Sequence, residues 1–188
     1  MFPIPMILRL CLIALLFPAS AMASQQAFPP TAPGTCEFKT LPAGTLLKAA
    51  KPGNYFAENN GLFRPLFNYI STHDIKMTVP VEAQIDSAAM YFWVSPDEVT
   101  KLAGAAPGVE IVQLPARLVA ARGTRGSYSQ TNFEQTRTEL LAWLAGQPGF
   151  EATGPAYAVY WNGPFSPWFA KRSEVHLPVR KIPDFSRP

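Results

Sequence analysis

The stretch LFRPLFNYISTHDIKMTVPV, Leu62 to Val81, sets two periodicities back to back and so dictates a helix that feeds a strand. Leu62, Leu66 and Ile70 recur every four residues, with Phe63 and Phe67 one position round, which gives a short helix a broad apolar stripe. Met77, Val79 and Val81 then alternate with Lys76, Thr78 and Pro80, the period of a half-buried strand. A helix with such a stripe needs a sheet to cover it. Asn59 or Asn60 is the expected N-cap, and Pro65 would then fall in the first turn, where a missing N–H costs little. His73, one of two histidines in the chain, sits with Asp74 at the helix exit, where a loop can meet a ligand.

Upstream, Cys36 to Ala50 holds two strand pieces parted by Pro42 and Gly44, the sign of a bulge or bend. Downstream of the central stretch come the strand to Ile85 and the aromatic strand Met90 to Val94. The second half repeats the order. Strand pieces Val109 to Gln113 and Leu118 to Ala121 are parted by Pro115, and a helix follows. Thr131 with Glu134 gives that helix a capping-box signature, Phe133, Leu140, Leu141 and Leu144 give it an apolar face, and Gly146 and Pro148 end it. Ala156 to Trp161 and Glu174 to Val179 close the chain as strands. A strand–helix–strand–strand unit thus appears twice, which predicts an α+β fold: one curved sheet or barrel with both helices laid against it.

The ends are different in character. Met1 to Ala23 has Arg9 as its only charge, an apolar run from Leu10 to Phe17 and the small-x-small triplet Ala21-Met22-Ala23, the pattern of a cleaved secretory signal. The apolar run is shorter than the ~20 residues that a membrane span needs. Residues 24–34 are polar and proline-rich and read as a flexible leader, residues 35–181 as the domain, and residues 182–188 as a tail. The mature chain would lie in the periplasm or outside the cell as a monomer, without stable membrane insertion. Loss of Arg9 leaves fifteen Lys and Arg against thirteen Asp and Glu, too even a balance for a nucleic-acid partner. Cys36 is then the one cysteine left, which excludes an internal disulfide and a cysteine-based metal cluster.

No catalytic motif stands out. The chain has no Gly-x-Ser-x-Gly elbow and no His-Glu-x-x-His, and Gly123-Thr124-Arg125-Gly126 has the wrong spacing for a phosphate loop. His176 shares a strand face with Glu174, opposite Val175, Leu177 and Val179. An enzyme is therefore not expected.

These residues resemble the SOUL haem-binding protein family. Its markers are Tyr69-Ile70 followed by Lys76-Met77-Thr78-Val79-Pro80-Val81, and then Tyr160, the turn Gly163 to Phe169, Lys171-Arg172 and Glu174-Val175. Glu37-Phe38-Lys39-Thr40-Leu41-Pro42 and the aromatic strand also fit. The resemblance implies a distorted antiparallel β-barrel with two flanking helices, built from a duplicated half. It also implies a haem or other tetrapyrrole, held non-covalently in a groove between the first helix and the loop before the last strand. Phe63, Phe67 and Ile70 would offer the flat surface, Trp168 and Phe169 the opposite wall, Arg64, Lys171 and Arg172 cations for the propionates, and His73 a possible axial ligand to the iron. The sequence departs from the family at Asn60 and Asn68, where basic residues are common, and at Ser173. Two readings of the same architecture stay open beside haem: a module for other hydrophobic effectors, marked by a buried acid such as Glu174 facing the groove, and a small-molecule hydrolase depending on Glu174 or Tyr160. The aromatic stripe and His73 also have plain readings, as core and as helix cap.

Overall fold

The computed structural model describes residues 25–163 and 166–183. The proposed signal segment lies outside them. In chain order the elements are β1 (Cys36–Leu41), β2 (Gly44–Ala50), α1 (Tyr55–Thr72), β3 (Val81–Gln84), β4 (Ala89–Val94), β5 (Glu110–Leu114), β6 (Arg117–Arg125), α2 (Gln130–Ala145), β7 (Phe150–Ala152), β8 (Tyr157–Tyr160) and β9 (Arg172–Lys181). One curled antiparallel sheet runs β1-β6-β9-β8-β3-β4-β2-β5, with β7 pairing the far end of β9. The fold is the expected α+β half-barrel with two helices.

The strand order makes the duplication visible. Read outward from the central β3–β8 pair, one side gives β4, β2, β5 and the other β9, β6, β1. Each half therefore sends its first strand across to the other half. The breaks at Pro42 and Pro115 are not bulges in single strands: β1 pairs β6 while β2 pairs β4 and β5, so each break is a crossing to the opposite wing of the sheet. Proline lacks the N–H that a continuing ladder would use, and its fixed φ favours a change of direction.

Side chains alternate across the sheet and build two cores. On the helix side, Leu47, Phe92, Ala158, Val175 and Leu177 meet Leu62 and Leu66 of α1 and Leu140 of α2. On the other side, Leu41, Leu46, Trp93, Tyr157, Val159 and Trp161 pack together. Leu62 and Leu66 are fully buried, each contributing about 1.5–3 kcal/mol of transfer free energy.

Residues 25–34 belong to the fold and are not a flexible leader. Gln26 bridges Val79 and Pro33 bridges Gly123, while Phe28 is buried at 6% exposure against Trp93 and Trp161. The strap runs so close to β6 that a Cβ on Gly123 would stand 2.5 Å from the Ala32 carbonyl oxygen. Its single large apolar residue anchors it, where a sequence pattern requires several.

The first helix begins earlier than its apolar stripe. Asn54 is the N-cap, its side-chain oxygen accepting from the Phe56 N–H at 2.9 Å, and Pro65 sits in the helix interior. The extension is held by Tyr55, which is buried. Asn54→Ala is expected to cost about 1 kcal/mol and lower the melting midpoint by ~2–4 °C. Asn59→Ala and Asn60→Ala should each change it by no more than about 0.5 kcal/mol, since neither caps. Thermal melts of the three variants decide between the two starts. At α2 the cap is likewise Ser129, accepting from the Asn132 N–H, and not Thr131.

Candidate functional site

A cleft of about 320 Å³ opens between α1 and the loop that joins β8 to β9. Tyr55, Asn59 and Phe63, four residues apart, present one helix face to it. Met77, Val81 and Met90 form the sheet side, and Tyr128, Tyr160 and Lys171 the far wall. The volume lies within the ~300–1,000 Å³ typical of small-molecule sites.

The floor is aromatic. The Tyr160 ring lies tilted at 4.2 Å from the Tyr128 ring and 5.9 Å from the Tyr55 ring. Its hydroxyl is buried and has no hydrogen-bond partner among the described residues. Burial pushes the Tyr55 and Tyr160 phenols well above their ordinary range, and the Tyr128 phenol up to about 12. All three therefore stay neutral in the ordinary pH range. Tyr128 also pins the loop: its hydroxyl donates to the Arg172 carbonyl at 3.0 Å and accepts from the Asn162 N–H at 2.9 Å. Asn162 Oδ1 in turn accepts from the Arg172 N–H at 2.7 Å.

Among the described residues, one cation and no carboxylate line the cleft. The Lys171 ammonium lies 4.9 Å from the Tyr128 ring centroid, a cation–π contact at the rim. Such a site suits a flat apolar body carrying a negative charge at its edge.

Of the residues singled out in sequence, Phe63 and Lys171 line the cleft, and Arg172 starts the strand beside it. Phe67 stacks on Phe63 at 5.5 Å but is 47% exposed, outside the lining. Ile70 is in the core beneath, and Arg64 is exposed on the helix. Trp168 and Phe169 stand away from the cleft at 68% and 65% exposure. His73 ends α1 as its C-cap: its Nδ1–H donates to the Tyr69 carbonyl at 2.8 Å, and its ring stacks on Tyr69 at 4.3 Å. The structure does not bring His73 to the cleft lining. Tyr55, Tyr128 and Met90 were missed in sequence because they come from α1, the link between β6 and α2, and β4, far apart along the chain; only the shared face of Tyr55 and Phe63, eight residues apart, was there to be read.

Glu174 and His176 lie on the other face of the sheet, beneath the strap. Glu174, 1% exposed, accepts from the Thr31 N–H at 2.7 Å, the Trp161 indole at 2.7 Å, Lys39 Nζ at 3.0 Å and His176 Nε2 at 2.7 Å. Burial alone would raise its pKa, but the His176 hydrogen bond and charge, with Lys39, hold it down to about 2. Glu82, also on this face, takes Arg117 on both oxygens and the Trp93 indole at 3.0 Å. The acid that a cationic effector would need is thus turned away from the cleft, and Glu174 and Tyr160 project to opposite sides. No group of three His, Cys, Asp or Glu among the described residues is placed to hold a metal ion.

The profile of a family described as "SOUL heme-binding protein" matches residues 29–178. No curated protein matches the sequence well enough to count as a relative. Among solved structures the fold is similar to the C-terminal domain of EcmrR, at a TM-score of 0.62 and 13% identity over 79% of this chain and 98% of that one. EcmrR in a complex with DNA aligns at 0.63 and 13% identity over 79% of this chain, which spans 58% of that longer protein. A hydrolase from Listeria innocua aligns at 0.53 and 14% identity over 79% of this chain and 94% of that one. SAV2435 bound to tetraphenylphosphonium aligns at 0.51 and 12% identity, over 78% and 94% of the two chains. At these identities the likeness is one of fold.

Proposed function

We propose, starting from the fact that the chain belongs to the SOUL haem-binding protein family, that it binds a tetrapyrrole non-covalently in the cleft between α1 and the loop ahead of β9. The observation that carries this reading is the composition of the lining: aromatic and methionine walls edged by asparagines, with a single cation at the rim and no acid among the described residues. The ring would stack among Phe63, Tyr128 and the methionines, and Lys171 would meet a propionate. Apolar contact and charge would supply the binding, as no histidine is among the described residues of the lining. Each ~100 Å² of apolar contact contributes about 2.5 kcal/mol before association costs, enough for micromolar affinity without an axial bond. Met77 and Met90 would be the soft thioether donors that this lining could offer a porphyrin iron.

The apolar N-terminal segment with its Ala21-Met22-Ala23 triplet supports an exported, periplasmic or secreted carrier, serving haem scavenging, storage or buffering. The fold neighbour bound to tetraphenylphosphonium raises a hydrophobic cation as a ligand, but such a ligand wants a carboxylate, and the buried Glu82 and Glu174 face the other core.

Haemin titration followed by the Soret band tests the proposal. Saturable one-to-one binding is expected, weakened about 3–10-fold by Lys171→Ala through loss of the propionate contact. His73→Ala is expected to leave both affinity and spectrum unchanged. Non-saturating adsorption, indifferent to Lys171→Ala, ends the tetrapyrrole reading.

A further inference from the structure

Gly163 and Lys171 both line the cleft wall. Directly before Lys171, Trp168–Ala170 form one 3₁₀ turn. Trp168 and Phe169 stand edge to face at 5.9 Å and 86° and are the two most exposed large apolar side chains among the described residues. Single exposed apolar residues are ordinary on a protein surface; a Trp and a Phe together at a loop tip are not. Lys171 and Arg172 follow directly, and no acidic residue occurs from Asn162 to Arg172. Glu174, the next acid along, is buried on the far face under Lys39 and His176.

We propose that this loop tip docks on an anionic phospholipid bilayer, with Trp168 and Phe169 entering the headgroup region and Lys171 and Arg172 meeting lipid phosphates. The chemistry points to a lipid surface more than to a protein. Indole and phenyl rings partition to the membrane interface, and adjacent cations are drawn to anionic lipid. A narrow turn also presents neither the flat face nor the strand edge that a protein partner would pair with. The contact is peripheral, since no helix among the described residues is long and apolar enough to cross a membrane.

Co-sedimentation with large vesicles tests it, in the absence of any porphyrin, so that its outcome is independent of the haemin titration. The chain from Ser24 onward is used, since it contains every strand and helix described. Binding is expected to phosphatidylcholine vesicles with a third of the lipid replaced by phosphatidylglycerol, with a blue shift of tryptophan emission. Trp168→Ala/Phe169→Ala should weaken it at least ~10-fold, and Lys171→Ala/Arg172→Ala a similar amount on anionic vesicles only. In the unmodified protein, lipid-borne nitroxide near the headgroups should quench the emission. The proposal is overturned by absence of binding to anionic vesicles, by binding that the Trp168→Ala/Phe169→Ala pair leaves intact, or by lack of nitroxide quenching. Self-association that this pair abolishes, without vesicle binding, would assign the tip to a second copy of the chain instead.

Discussion

Glu174→Leu is expected to destabilise the fold by about 3–5 kcal/mol, the cost of removing one partner from a buried charge pair. The leucine fills the space but leaves Lys39, His176, the Trp161 indole and the Thr31 N–H facing a side chain that accepts nothing. Urea unfolding at neutral pH measures the loss, and cleavage near residues 25–34 by a protease should accelerate as the strap loses its buried hydrogen bond. The same carboxylate sets an acid limit. Its pKa is lowered from 4.5 in the unfolded chain to about 2 in the fold, so its contribution is complete above the unfolded value and lost as pH falls towards the folded one. The shift corresponds to stability on the order of 3 kcal/mol. Glu174→Gln keeps an acceptor for the indole and the amide but cannot titrate. Its stability should fall less steeply through the carboxylate range than that of the parent chain. Equal slopes would mean that Glu174 does not govern the acid response. Haemin affinity should be unaffected by Glu174→Gln, since the residue faces the core behind the sheet; a turnover that depended on Glu174 would contradict this placement.

How far the sequence reached depends on which physical signal each feature leaves. The helix stripe of Leu62, Leu66 and Ile70 and the alternation of Val175, Leu177 and Val179 against Glu174 and His176 are periodic, and each lands on the expected side of the sheet. The twofold order of units was legible for the same reason. Strand partnership leaves no such trace: nothing in Leu41-Pro42-Ala43-Gly44 says that β1 and β2 part for opposite wings, because pairing is decided by residues far along the chain. Alternation also failed locally at Val79, which packs behind the sheet while Met77 and Val81 line the cleft. The strap was invisible because a single buried ring, Phe28, the Thr31 N–H bond to Glu174 and short backbone bridges to Val79 and Gly123 hold it, none of which has a period. The cleft was half legible. Phe63 and Lys171 belong to recognisable motifs, whereas Tyr55, Met90 and Tyr128 converge only through folding.

Phe63→Asp is expected to weaken haemin binding by at least ~100-fold, the largest functional effect foreseen at this site. Burying a phenylalanine face is worth about 1.5–3 kcal/mol, and a carboxylate in its place adds the cost of desolvating a charge beside an anionic ligand. The ring is held firmly from two sides, since it stacks on Phe67 at 5.5 Å and meets Phe92 edge-on at 5.5 Å. Phe92 belongs to the core, so Phe63→Asp also costs stability, and the binding loss needs separating from it. Phe63→Leu makes the separation, since it preserves the apolar packing and removes only the flat face; a decrease in affinity of about 5–10-fold is expected from lost stacking alone. Phe67→Asp is the control on the same helix, placed outside the lining, and should reduce affinity less than Phe63→Leu. If Phe67→Asp were the more damaging change, the ligand would lie on the outer surface of α1 and not in the cleft. If Phe63→Asp left haemin binding intact while lowering the melting midpoint, the ring would be core alone, and the cleft would have to be reassigned to a ligand that uses its tyrosines.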